Sequence, residues 1–278
     1  NPVLSGSRMT IIAGVFSVLA VICYLLCYNL VRERVPVPAN NQKLDLLALG
    51  KSLITNRALL GIVAAALLLL LAMLGMQGMS AYVFPNVYRN TQAQSVVALL
   101  SNVSIIAICA PLASKLAAKF GKKELATVSC LFGAASYVIC FILHPDNVWV
   151  YVIFYVAAFV GLGFFNTIIW AMITDVIDDA EVKNGIREDG TIYAVYSFAR
   201  KLGQAFSSGM VGALLSLAGY STATAFDPAV TESIFKISCI VPIIGLTTVA
   251  LALIFIYPLN KKRVESNVAE LARRRGEK

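Results

Sequence analysis

The sequence predicts an all-α integral membrane protein of about seven transmembrane helices. Of its 278 residues, 59% are hydrophobic and only 14% charged, against about a quarter charged in a typical soluble domain; mean hydropathy is +0.78. The apolar residues come in blocks of about 20, the length that crosses a hydrocarbon core of about 30 Å as a helix. A chain in lipid must satisfy its backbone internally, as helix or closed barrel, and these blocks lack the alternation of barrel strands.

Taken in order, the predicted spans are 9–31, 57–81, 92–117, 125–143, 148–174, 193–218 and 233–257. The connections are 32–56, 82–91, 118–124, 144–147, 175–192 and 219–232. Alternate connections then face opposite sides of the membrane. All but three of the 23 basic residues (Arg8, Arg89 and Lys236) fall on one side, and lysine and arginine enrichment marks the cytoplasmic face. The expected protein is multi-pass in the plasma (inner) membrane, with its N-terminus outside and its C-terminus cytoplasmic. The net charge of +8 is thereby a topology signal. Anionic membrane lipid is the expected partner, and nucleic acid is not.

The chain opens Asn1-Pro2-Val3, with no initiator methionine, basic n-region or signal peptide, and is expected to be part of a longer protein. Residues 32–56 hold Pro36, Pro38 and Asn40-Asn41. Further on, Leu46, Leu49, Leu53 and Ile54 fall near one helical face. Both an interfacial helix and a solvated linker fit that pattern.

Candidate chemistry is sparse. The six cysteines lie in apolar blocks without metal or redox spacing, and the single histidine, His144, sits in a loop beside Pro145; no cofactor or metal is expected. None of the 15 acidic residues is well inside a span, Asp175 being nearest. Lys201 is eight residues beyond Tyr193, about 12 Å at a rise of about 1.5 Å. It is either a functional charge or a lysine snorkelling to the interface. Asp175, Asp178 and Glu181 recur every three residues and so share one helical face, with Lys183 and Arg187 in reach if the loop folds back. A solvated charged loop accounts for the same composition, whereas a metal site lacks further hard ligands. Tyr151, Tyr155, Phe159, Phe164 and Phe165 could line a sugar path or simply pack. Gly161, Gly163, Gly203, Gly209 and Gly212 allow close helix approach, and Pro111 and Pro242 could kink their helices.

The run Asp175-x-x-Asp178-x-x-Glu181-x-Lys183-x-Gly185-x-Arg187-x-x-Gly190, continued by Tyr196-Ser197-Phe198-x-x-Lys201-x-Gly203-Gln204-Ala205, is specific. It resembles the loop between the tenth and eleventh helices of the glycoside–pentoside–hexuronide:cation symporters. That family, within the major facilitator superfamily, includes melibiose permease and the glucuronide carriers. Gly121-Lys122-Lys123 resembles the basic loop between helices eight and nine, and Asn56-Arg57 the entry to helix seven. The resemblance covers essentially the whole chain, as helices 6–12 of a twelve-helix fold. It implies that 1–31 is the last helix of the N-terminal half and 32–56 the cytoplasmic linker between halves. It likewise implies that 57–260 is the C-terminal six-helix bundle and 261–278 a basic cytoplasmic tail.

By resemblance, Lys201 falls in the cation-coupling region, and Asp175, Asp178, Glu181 and Arg187 form a cytoplasmic gate. Sugar-path candidates are Asn166, Trp170 and Tyr155. The helix-ten tryptophan that helps hold galactoside in melibiose permease falls at Asn166, whereas Trp170 resembles the tryptophan of glucuronide-type relatives. The family's intramembrane aspartates lie in its first half, so this chain alone is not expected to couple transport. The implied function is secondary active transport, a sugar or glycoside moving with Na⁺ or H⁺ by alternating access. The implied partners are the sugar, the coupling cation, lipid and the missing N-terminal half. Two alternatives are a lysolipid transporter on the same fold and a truncated, non-transporting structural fragment. A seven-helix light sensor would need a lysine deep in the last span, and Lys236 lies near its outer end. No enzyme activity is expected.

Overall fold

The computed structural model describes residues 6–31 and 55–276, and the chain divides into two units at Asp45. In the first unit the described element is helix α1 (Gly6–Leu30). It is apolar on every side, and Met9–Leu30 is long and apolar enough to cross a membrane. Residues 32–54, most of the expected linker and all of the interfacial-helix segment expected over 46–54, fall outside the described residues.

In the second unit, α2 (Arg57–Tyr82) starts on Asn56, whose side chain accepts from the amides of Ala58 and Leu59. Asn90, Asn147 and Asn260 cap α3 (Thr91–Phe120), α5 (Val148–Asn184) and α8 (Lys261–Arg275) in the same way. Each cap satisfies amides that the first helical turn leaves orphaned, for about 1 kcal/mol. The other helices are α4 (Lys122–Leu143), α6 (Asp189–Leu217) and α7 (Pro228–Phe255).

Three of the spans contain interior prolines; Pro242 sits within the α-helix of α7, and the other two are accommodated by widening. α2 runs on into a π-helical segment at Val83–Val87 around Pro85. Within α3, Ile105–Cys109 is π-helical just before Pro111, with the Ala110 amide donating to the carbonyl of Ile105. Proline lacks the amide its turn requires, and a wider turn redistributes the remaining donors.

α7 packs against both α2 and α4, α6 packs on α2, and α3 packs on α5. The closest crossing is α4 on α5, where a Cβ on Gly161 would overlap the Ser129 carbonyl and the backbone of Gly133. Gly161 thus serves packing. Tyr137, Tyr151, Phe165, Phe235 and Leu246 are fully buried between these helices. The aromatic run of α5 divides: Tyr151, Tyr155, Phe159 and Phe165 are buried and Phe164 only partly so.

Six helices among the described residues are long and apolar enough to span. The seventh expected span exists as α6, 29 residues long, but falls short in hydropathy. The reason is a polar stripe, Ser197, Arg200, Lys201, Gln204 and Ser208, most of it exposed. A second difference concerns 175–192, expected as a connection. α5 continues as helix to Asn184 and closes on Gly185 at φ 74°, a left-handed conformation that suits glycine. The 261–278 tail is likewise mostly helix, α8.

Candidate functional site

The site is built on the polar groups that α2, α3, α5 and α6 carry through an otherwise apolar bundle. Between α2, α3 and α5 lies a cavity of about 280 Å³, lined by Gln77, Ser80, Gln94, Ser101, Asn102, Tyr155 and Phe159 among others. Tyr155 and Phe159 stack with ring centroids 6.1 Å apart and planes 9° from parallel. The Ser101 hydroxyl is buried without a hydrogen-bond partner. Such an orphan costs about 1–3 kcal/mol, which a hydroxylated ligand or water in the cavity would relieve. Gln77 also borders a second cavity of about 500 Å³ between α2 and α6, with Ser207 and Ser208.

The stripe on α6 continues from there toward the Arg57 end of the bundle. A Cβ on Gly203 would lie 3.3 Å from Leu70 Cβ and 3.4 Å from the Leu67 carbonyl, while Gly75 and Gly78 meet Met210 and Val211. α6 therefore runs parallel to α2, with Lys201 level with its third turn. Leu67 is ten residues past Arg57, about 15 Å along a helix, and so in the Arg57-end half of a span that runs to Val87. Lys201 is exposed on this bundle, and its ammonium donates to Gln204 Oε1 at 3.3 Å. Arg200 Cζ lies 5.3 Å from the Trp170 ring centroid and 5.7 Å from that of Tyr196, whose hydroxyl accepts from Arg200 Nη1 at 3.1 Å. Trp170 packs edge-on to Tyr196 at 5.4 Å.

Of the three sugar-path candidates, Tyr155 lines the first cavity, Trp170 is at the guanidinium farther along α5, and Asn166 is half-buried one turn before Trp170. Fifteen residues separate Tyr155 from Trp170, about 22 Å of helix, so one small ligand cannot touch both. Sequence reasoning missed Gln77, Gln94, Ser101 and Asn102. For Gln77, Ser101 and Asn102 the signal was available as uncharged polar residues in the middle of apolar runs, whereas Gln94 lies in the polar first turn of its span.

At the Arg57 end the charges are grouped. Arg187 reaches Asp178 at 2.9 Å, Glu181 at 2.8 Å and Asp189 at 2.8 Å. Arg275 also bonds Glu181, at 2.9 Å. Partial burial works against the Arg187 charge, but hydrogen bonds to Glu181, Asp178 and Asp189 outweigh it and raise its pKa above the ordinary arginine value. Asp175 is separate from this group, 2.6 Å from Lys122 of α4. The most buried acid is one that the three-residue spacing passes over: Asp179, at 1% side-chain exposure. It accepts from Lys183, from Arg263 at 3.1 Å and from Asn267 at 3.1 Å, tying α8 to α5. No cluster of metal-binding side chains occurs among the described residues.

Residues 3–261 match the model of the family described as MFS/sugar transport protein. The chain is similar to the glucuronide carrier protein homolog of Escherichia coli (strain K12), at 27% identity over 261 residues, 94% of this chain and 56% of that one. It is similar to a symporter of Bacillus subtilis (strain 168), at 28% over 264 residues, 94% and 57%. A protein of Escherichia coli (strain K12) named for sulfoquinovose import is 28% identical over 266 residues, 95% and 56%. The chain thus spans a little over half the length of the curated relatives it matches. It belongs to the family described as MFS/sugar transport protein.

Proposed function

We propose that this chain is the C-terminal part of a secondary active transporter that moves a sugar or glycoside together with Na⁺ or H⁺ by alternating access. On this reading 57–260 is one six-helix half, 1–31 the last helix of the other half, 32–56 the linker and 261–278 the tail. The other half is the partner that completes the central site. The carrying observation is the neutral polar cavity of Gln77, Gln94, Ser101 and Asn102 beside the stacked Tyr155 and Phe159. Amides and hydroxyls suit the hydroxyls of a sugar, and aromatic faces suit its C–H face. The relatives' names point the same way, toward glucuronides, sulfoquinovose and symport.

A lysolipid carrier would use the apolar groove of about 360 Å³ between α2, α6 and α7, lined by Leu68, Leu71, Met210, Ile240 and Ile244. Thr248 is the one polar side chain lining it, so a headgroup finds no partner, and the sugar reading is the stronger.

The test is gradient-driven glycoside uptake by the full-length carrier in proteoliposomes. Uptake should rise with an imposed Na⁺ or H⁺ gradient. Gln77→Ala and Asn102→Ala should each raise KM about tenfold, the equivalent of about 1.4 kcal/mol. Lys201, the proposed coupling lysine, should lose cation stimulation as alanine. Gradient-independent behaviour toward every sugar, or transport of lysophospholipid instead, would overturn the reading. Orientation is tested separately. The distribution of basic residues supports a cytoplasmic Arg57 end, so a cysteine introduced at Asn184 should resist an impermeant reagent added to intact cells. Strong labelling from outside would reverse the topology.

A further inference from the structure

Resting on the transport reading, we propose that Arg200 is a specificity-determining residue that binds an ionised acid group of the substrate at a second station on its path, beside Trp170 and about 22 Å of helix from Tyr155, selecting acidic sugars over neutral ones. Its guanidinium is held in place before any ligand arrives, against Trp170 and over Tyr196. That bracing uses one of the five N–H donors an arginine carries. The remaining edge is a planar fork of the kind that grips a carboxylate or sulfonate with two parallel bonds.

The charge is also uncompensated. Among the described residues neither Arg200 nor Lys201 has a carboxylate partner. The acids of α5 at that end are committed elsewhere: Asp175 to Lys122, Asp178 and Glu181 to Arg187, and Asp179 to Lys183 and Arg263. The α2–α6 register puts Arg200 beside Lys201 in the Arg57-end half of the spans, and a cation without a carboxylate partner inside a span is a candidate for a pathway. Snorkelling alone does not explain the arrangement, because a guanidinium seeking water would not be sandwiched against an indole. An anion that arrives with the substrate and leaves with it supplies the missing charge during passage.

The probes are matched pairs that differ at one carbon: 4-nitrophenyl β-D-glucuronide with the corresponding glucoside, and D-galacturonate with D-galactose. In the full-length carrier, wild type should prefer the acid member of at least one pair by tenfold or more. Arg200→Gln should lower that preference at least tenfold, with the loss falling on the acid member. Arg200→Lys keeps the charge without the fork and should fall between the two; it also serves if the glutamine variant does not fold. A wild type that transports sugars with no acid preference overturns the proposal. So does equal loss on both members, as would follow if Arg200 pairs with a carboxylate of the other half. Either result leaves the transport reading standing. A wild type that carries none of the four compounds, nor any other sugar, removes both.

Discussion

Replacing Asp179 with alanine is expected to destabilise the bundle by about 3 kcal/mol and release its last helix. Breaking a buried ion pair typically costs about 3–5 kcal/mol, because the remaining charge is stranded. Here the lower figure applies, since the partners Lys183 and Arg263 are 44% and 42% exposed and regain water when the acid is lost. Asn267 is different: it is itself buried, and its amide would lose its acceptor. Thermal unfolding of the purified full-length carrier measures the stability. Limited trypsin digestion reads the local consequence, with cleavage after Arg263 accelerated in Asp179→Ala, since local opening precedes proteolysis. Asp179→Asn, which keeps hydrogen bonding but not charge, should lie between. An alanine variant with wild-type melting and wild-type cleavage would show that α8 is held by its apolar contacts, such as buried Leu271, and not by this acid.

The second large effect is expected at Arg187. Its guanidinium holds three carboxylates, two of which (Asp178 and Glu181) lie one turn apart on the same face of α5. Arg187→Ala leaves Glu181 with Arg275 but frees Asp178 and Asp189 to repel the group. With the arginine side chain 37% exposed, solvent screening trims the loss to about 1–2 kcal/mol. If this group closes the cytoplasmic side, the same energy shifts the full-length carrier toward its inward-open form by about tenfold. The readout is the reactivity of a cysteine lining the inner path, alongside uptake kinetics. Unaltered reactivity and kinetics would reduce the cluster to a solvated decoration of the helix end.

What the sequence disclosed, and what it hid, follows from the range of each interaction. Spans were legible because hydropathy is local. The Arg187 cluster was legible because a three-residue repeat and a nearby cation are both written within 13 positions. Asp179 escaped because it lies off that face and its partners are 84 and 88 residues away. The end of α5 was placed ten residues early, since charge signals an exit from lipid and not the end of a helix. With Asp175, Asp178, Asp179 and Glu181 all neutralised by basic partners, nothing stops the helix there. The cavity was not legible because its lining is amide, hydroxyl and aromatic, side chains that leave no charge pattern in a sequence.

The polarity of α6 bears on how the protein is made. Arginine and lysine in a membrane helix oppose its insertion, by about 2.5–3.5 kcal/mol each at the centre and less toward the ends, and Arg200 and Lys201 are adjacent. Left to itself in the translocon, such a segment gains little by leaving the aqueous channel. Its neighbour α7 is strongly apolar and follows after a connection of only ten residues between Leu217 and Pro228. Integration of α6 is therefore a joint event with α7 and with the waiting surface of α2, where Gly75, Gly78 and Gly203 let the two helices meet closely. Arg200 and Lys201 thus make the entry of α6 into lipid depend on companions.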